Sequence, residues 1–117
     1  VGTVSMSRAY GLDVAGGYAY VADGGSGLRV VDVSDPTAPF EVGAYVTDGW
    51  SRSAVLDGSD IYLADWTGGL KVINVADPTA PYQVTGYATP GRARDVVLGL
   101  GHIFVADYEG GLRILSW

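Results

Sequence analysis

The chain has 117 residues, of which 48% are hydrophobic and 17% are charged, and its formal net charge is −6. A chain this apolar can bury a core, which argues against disorder, and its 18 glycines favour many tight turns. Seven basic residues are too few to form a face that binds DNA or RNA, and the absence of cysteine excludes disulfides and thiolate chemistry. No apolar run approaches the roughly 20 residues that span a bilayer, so no membrane span is expected.

The predicted elements are short strands, and the first, at residues 1–5, is of the kind that forms the outer edge of a sheet. The clearest set lies near the C-terminus, where four apolar runs occupy residues 83–87, 94–98, 102–107 and 112–117. Val, Ile, Leu and Tyr dominate these runs, and no long stretch has apolar residues at helical spacing. Gly110-Gly111 fits a hairpin turn between the last two runs because glycine adopts positive φ without strain. We therefore expect an all-β chain.

An internal repeat of 42 residues runs through the whole sequence without insertion or deletion. Val21-Ala22-Asp23 returns as Leu63-Ala64-Asp65 and again as Val105-Ala106-Asp107, and the pentapeptide Asp-Pro-Thr-Ala-Pro occurs at residues 35–39 and 77–81. A period of this length is typical of propeller blades or of helical pairs, and the strand pattern favours the propeller. We predict one domain, residues 1–117, with about three four-stranded blades in repeat units of about 1–42, 43–84 and 85–117.

Two segments of the sequence resemble the LVIVD repeat. They are Gly-Leu-Lys-Val-Ile-Asn-Val-Ala-Asp-Pro-Thr-Ala-Pro at residues 69–81 and Leu-Arg-Val-Val-Asp-Val-Ser-Asp-Pro at residues 28–36. The third copy departs from the family pattern, since Ser116 stands where the Asp is usual and no Asp-Pro linker follows. The resemblance implies a propeller-like domain of a bacterial or archaeal surface or secreted protein, with an extracellular or cell-surface location and no catalytic residues to carry over.

Three blades are fewer than the roughly four to eight that close a propeller ring. We expect two copies to form a six-bladed ring, in which the first strand of each copy pairs with the last strand of its partner. A nine-bladed trimer, an open filament and a piece of a longer array are the alternatives. The predicted assembly edge consists of Val1, Val4, Leu112, Ile114 and Trp117.

A ligand site is predicted at one mouth of the central channel. Arg52 and Arg94 share a repeat position with Tyr10, just before the innermost strands. Guanidinium groups beside aromatic rings suit an anionic ligand or a sugar. For the arginines the structural alternative is favoured, namely pairing between blades of Arg94 with Asp95 or with Asp13 of a neighbour. The rings of Trp66 and Tyr108 either contact a ligand or only cover a blade edge. The candidate residues are Trp50, Arg52, Trp66, Arg92, Arg94 and Tyr108.

The sequence offers little support for catalysis. His102 is the single histidine, and no Ser/His/Asp spacing or His-containing metal cluster is present. Asp23, Asp65 and Asp107 precede glycine turns, where capping of backbone amides is favoured over calcium binding. We expect no cofactor and no metal. The predicted function is a non-catalytic extracellular structural or adhesive module, with a glycan-binding propeller as the alternative and an enzyme third.

Overall fold

The computed structural model describes residues 1–116. Within that range, antiparallel strands form three sheets, and the strands of each sheet follow one another in sequence. Sheet 1 contains β1 (Gly11–Ala15), β2 (Tyr18–Ala22), β3 (Leu28–Asp32) and β4 (Phe40–Tyr45). Sheet 2 contains β5 (Ser53–Asp57), β6 (Asp60–Ala64), β7 (Leu70–Asn74) and β8 (Tyr82–Tyr87). Sheet 3 contains β9 (Asp95–Gly99), β10 (His102–Ala106) and β11 (Leu112–Leu115), with a 3-10 turn at Tyr108–Gly110.

The prediction of an all-β chain is confirmed, and the four C-terminal runs lie on β8, β9, β10 and β11. Sheets 1 and 2 repeat each other in detail, down to a register shift between Val30 and Val31 that returns between Val72 and Ile73. Gly69 precedes β7 with a φ of 75°, and a Cβ there would clash with the carbonyl oxygen of Tyr87. This turn therefore requires glycine. No helix in residues 1–116 is long and apolar enough to cross a bilayer.

The core lies between the faces of neighbouring sheets. Apolar side chains point to both faces of the same strand, so that Val72 packs toward sheet 3 while the adjacent Ile73 packs toward sheet 1. Strands that are apolar on both faces are expected where a sheet is covered on both sides. Full burial of one such side chain stabilises the fold by about 1.5–3 kcal/mol, so face-to-face stacking is the main source of stability.

The innermost strands of neighbouring sheets are also joined by hydrogen bonds. Asp13 on β1 accepts one from the backbone N–H of Leu56 on β5 at 2.9 Å. The Ser53 hydroxyl on β5 donates one to Asp95 on β9 at 2.7 Å. These bonds hold β1, β5 and β9, one strand from each sheet, side by side.

The prediction of a strand at residues 1–5 is wrong, because no strand precedes Gly11 in the described chain. A strand needs a partner for its backbone groups, and the proposed partner, β11, lies in the last of the three stacked sheets. Val4 and Met6 instead pack on the outer face of sheet 1, against Val21 and Val31. Val4 is therefore an apolar cover in this chain, and Val1 is fully exposed.

Sheet 3 has three strands within the described residues, and β11 is an edge strand. Leu112 and Ile114 on this strand are 64% and 55% exposed. Trp117, the last residue of the predicted assembly edge, lies outside the described residues.

Candidate functional site

Three side chains at equivalent repeat positions lie where the innermost strands β1, β5 and β9 begin. Tyr10, Arg52 and Arg94 immediately precede β1, β5 and β9. Each donates its backbone N–H to the carbonyl oxygen of the alanine that ends the adjacent strand, over 2.8–2.9 Å. Because the three sheets share this arrangement, the three side chains lie at the same mouth of the stack.

Their side chains alternate with aromatic rings from the turns of sheets 2 and 3. The guanidinium carbon of Arg52 lies 4.5 Å from the ring centroids of both Tyr10 and Trp66. The guanidinium carbon of Arg94 lies 5.4 Å from Trp66 and 5.3 Å from Tyr108. We call the series Tyr10, Arg52, Trp66, Arg94 and Tyr108 the ladder. Each such cation–π contact contributes about 0.5–1 kcal/mol at an exposed site, so the rings restrain both guanidiniums.

The other two predicted residues flank the ladder. Trp50 packs edge-to-face on Tyr10, with ring centroids 6.3 Å apart. Arg92 lies 5.7 Å from the Trp66 ring and donates to Glu109 at 2.6 Å. All six predicted residues are thus gathered at one place. Tyr10 was missed as a member of the site, although its repeat position, shared with both arginines, was a signal for it.

Two rings of the ladder stand on strained backbone. Trp66 and Tyr108 have φ values of 57° and 47°, in the left-handed region, where the first repeat has Gly24 with a φ of 57°. Such a conformation costs a bulky residue about 1–2 kcal/mol. Strain of this kind is concentrated at functional sites, where the surrounding structure maintains it. The replacement of Gly24 by Trp66 and Tyr108 in the second and third repeats was therefore a second sequence signal for this site.

Two open clefts border the ladder. One, of about 470 Å³, is lined by Trp50, Trp66 and the exposed carboxylate of Asp48. The other, of about 390 Å³, is lined by Arg94 and by the exposed Asp95. Tyr10 and Arg52 line both clefts, which also include Gly49, Thr67, Gly11 and Ser53.

The ion pairs that the structural alternative gives to Arg94 are not formed within the described chain. Asp95 accepts hydrogen bonds from Ser53 and from its neighbour Val96, and Asp13 accepts one from Leu56. Among the described residues, no ion pair involves Arg52 or Arg94. Their guanidiniums contact ring faces rather than carboxylates.

The pKa of the Tyr10 phenol is lowered at this mouth. The largest cause is a hydrogen bond with Trp50, which outweighs the desolvation that raises the pKa, and Arg8 and Arg52 lower it further through smaller effects. Both causes are expected to stabilise a phenolate, the first by hydrogen bonding and the second by opposite charge. This mouth of the stack therefore favours negative charge.

The family of the chain follows from a comparison along its whole length. The LVIVD repeat matches at residues 8–47, 48–89 and 90–115. The chain belongs to the LVIVD repeat family. Each LVIVD match includes the strands of one sheet, and the second and third include the arginine that precedes the innermost strand. No curated protein sequence matches this LVIVD chain.

Two solved structures of designed proteins share the fold. The computationally designed Ika8 protein has a TM-score of 0.71 at 6% identity, over 91% of the LVIVD chain and 32% of its own. The LVIVD chain thus spans about a third of the Ika8 chain. The computationally designed Ika4 protein has a TM-score of 0.61 at 5% identity, over 99% of the LVIVD chain and 95% of its own. At these identities the likeness concerns the fold alone.

The three repeated aspartates of the LVIVD chain are buried hydrogen-bond acceptors. Asp23 accepts from the backbone N–H of Arg8 at 2.6 Å, and Asp107 accepts from that of Gly91 at 2.9 Å. Asp65 accepts instead from the hydroxyls of Thr47 and Ser51, at 2.6 and 2.9 Å. Each aspartate thus holds the segment that leads into the innermost strand of its own sheet. Within residues 1–116, no three acidic or histidine side chains are placed to hold a metal ion.

Proposed function

We propose that this chain is a non-catalytic β-propeller segment whose function is assembly into a larger ring of blades. The proposal rests on one contrast between equivalent residues. Leu70 and Val72 are 0% and 5% exposed between sheets 2 and 3, whereas their equivalents Leu112 and Ile114 on sheet 3 are 64% and 55% exposed. Sheet 3 thus presents the same apolar face that sheet 2 uses for stacking, but without a cover.

The outer face of sheet 1 is complementary to this uncovered apolar face of sheet 3. Ala19, Val21 and Val31 lie on this face, at the repeat positions that Ile61, Leu63 and Ile73 occupy in the buried face of sheet 2. An apolar cleft of about 330 Å³ remains open there despite the partial cover of the N-terminal segment. The two terminal faces are therefore the two halves of the interface that the chain already forms twice internally.

A head-to-tail interface of this kind closes into a ring when the rotation between subunits allows it. Two copies would supply six sheets, which lies within the roughly four to eight of closed propellers. The free edge of β11 adds a second contact, because pairing with an extended segment of the next copy would complete sheet 3. Such pairing would also protect the edge from unspecific aggregation.

Two further observations support the rest of the proposal. His102 is the exposed first residue of β10, where its ring Nδ1 lies 2.9 Å from the carbonyl oxygen of Leu100, and it lines neither cleft. This position favours a module without acid–base chemistry. Membership of the LVIVD family favours an extracellular or cell-surface location.

Light scattering on the purified chain tests the proposal. We expect a defined oligomer, closed in electron micrographs, that Ile114→Asp converts to a folded monomer because a charge cannot be buried in the new interface. Leu100→Asp is the matched control: Leu100 is 91% exposed but lies in a turn away from both terminal faces, so this variant should still assemble. A wild-type chain that stays monomeric at every concentration would overturn the proposal.

A further inference from the structure

Positive charge is concentrated at the ladder although the protein is acidic as a whole. Four of the seven basic residues, namely Arg8, Arg52, Arg92 and Arg94, lie in or beside it. Arg92 is neutralised by Glu109, while Arg52 and Arg94 have no ion-pair partner among residues 1–116. Two uncompensated guanidiniums therefore border clefts that are open to solvent.

The stacking leaves the hydrogen-bonding edges of these groups available. The guanidinium carbon of Arg52 lies over the Tyr10 and Trp66 rings, and that of Arg94 lies over the Trp66 and Tyr108 rings. Among the described residues, neither guanidinium donates a hydrogen bond to a carboxylate, so its N–H fork remains available for the two oxygens of a ligand carboxylate. The same contacts occupy ring faces that a neutral sugar would need for stacking, so the ladder favours an anion over a neutral sugar.

The walls of the clefts restrict which anion fits. Asp48 lines the first cleft and pairs with Lys71 at 3.2 Å, and Asp95 lines the second. These carboxylates repel a ligand with dense negative charge, such as phosphate or a polyacidic peptide. They also accept hydrogen bonds, as do the hydroxyls of Thr67 and Ser53 in the same walls. A ligand that combines an isolated carboxylate with several hydroxyls satisfies both properties.

We infer that the ladder is a binding site for a carboxylate-bearing carbohydrate, in which the forks of Arg52 and Arg94 bind the carboxylate and the acidic walls accept hydroxyl hydrogens. The strained backbone of Trp66 and Tyr108 agrees with this role, because it holds the rings that orient both forks. All residues of the site belong to one chain. The inference therefore does not depend on assembly.

Calorimetric titration of the whole chain with methyl β-glucuronide, which carries one carboxylate and several hydroxyls, tests the inference. We expect saturable binding that Arg52→Gln and Arg94→Gln each weaken by about tenfold or more, as for the loss of a charge-assisted hydrogen bond. The neutral methyl β-glucoside, inorganic phosphate and an oligoglutamate should bind by about tenfold less or not at all. Binding of any of these as tight as that of methyl β-glucuronide would overturn the inference, as would the absence of glucuronide binding.

Arg113→Gln is the matched control, because it removes the same charge from β11, outside both clefts. It should leave binding unchanged, and an equal loss would show only a general charge effect and overturn the inference. Arg94→Lys keeps the charge but not the fork, and it should bind more weakly than wild type with an unchanged circular dichroism spectrum. Repeating the titration on Ile114→Asp separates the two proposals, since binding should persist in a chain that cannot assemble.

Discussion

The carboxylate of Asp13 on β1 accepts the backbone N–H of Leu56 on β5 at 2.9 Å, and this bond joins the innermost strands of sheets 1 and 2. The next junction uses a different pair, the Ser53 hydroxyl and Asp95, at 2.7 Å. Neighbouring sheets are thus held by apolar faces that follow the repeat and by polar contacts that differ from junction to junction. The contact at the first junction is the easier to test because it involves one side chain only.

Asp13→Ala should destabilise the chain by about 1–3 kcal/mol, because it leaves the partly buried N–H of Leu56 without its acceptor. Urea unfolding followed by circular dichroism measures the change. Asp57→Ala, at the exposed last residue of β5, is the control and should stay within about 0.5 kcal/mol of wild type. An equal effect of both variants would mean that the contact with Leu56 contributes nothing specific.

Leu100→Gly should raise the free energy of unfolding by about 1 kcal/mol. Leu100 has a φ of 51°, and its equivalents in the first two repeats are Gly16 and Gly58, with φ values of 60° and 62°. The side chain is almost fully exposed, so its removal sacrifices little packing. Thermal unfolding of Leu100→Gly and Leu100→Ala checks the cause, because alanine keeps the strained backbone and should bring no comparable gain.

Asp65→Asn should be more stable than wild type at neutral pH and should show no such gain at acid pH. Burial raises the pKa of Asp65 above its ordinary value of 3.8, and the hydrogen bonds from Thr47 and Ser51 offset this only in part. Since the folded state binds the proton more tightly than the unfolded state, ionisation of Asp65 costs stability as the pH rises through its folded pKa. Urea titrations at acid and neutral pH should show the gain of the variant at neutral pH alone.

Asp77→Asn should have the opposite pH dependence. The hydroxyl and then the backbone N–H of Thr79 donate to Asp77 at 2.7 and 3.0 Å, and these bonds lower the pKa of the exposed Asp77. Stability from this carboxylate is present above its unfolded pKa and is lost as the pH falls through the folded value. The variant should therefore be less stable than wild type at neutral pH and equal to it in strong acid. Asp35→Asn, in the same turn of the first linker, should behave alike.

The sequence predicted most of the side chains that lie together at this mouth, but not how they are arranged. Repeat positions placed Arg52, Arg94 and Tyr10 at the same end of three sheets, and they predicted a mouth with arginines and rings. The distances between each guanidinium and its two neighbouring rings depend on how far the stacked sheets are offset from one another. That offset is set by face-to-face packing, which no single repeat contains. The expected pairing of Arg94 with Asp95 is not formed within the described chain for the same reason, because the Ser53 hydroxyl from the neighbouring sheet hydrogen-bonds that carboxylate.

The amino-acid sequence by itself determined the all-β class, the repeat of 42 residues and the LVIVD family. These are local properties, since strand periodicity and turn glycines act over a few residues and the repeat copies them. Only the tertiary structure decided that Val4 and Met6 pack on the outer face of sheet 1 without forming a strand. A strand depends on the position of a distant partner edge, whereas Val4 and Met6 found apolar surface close to them.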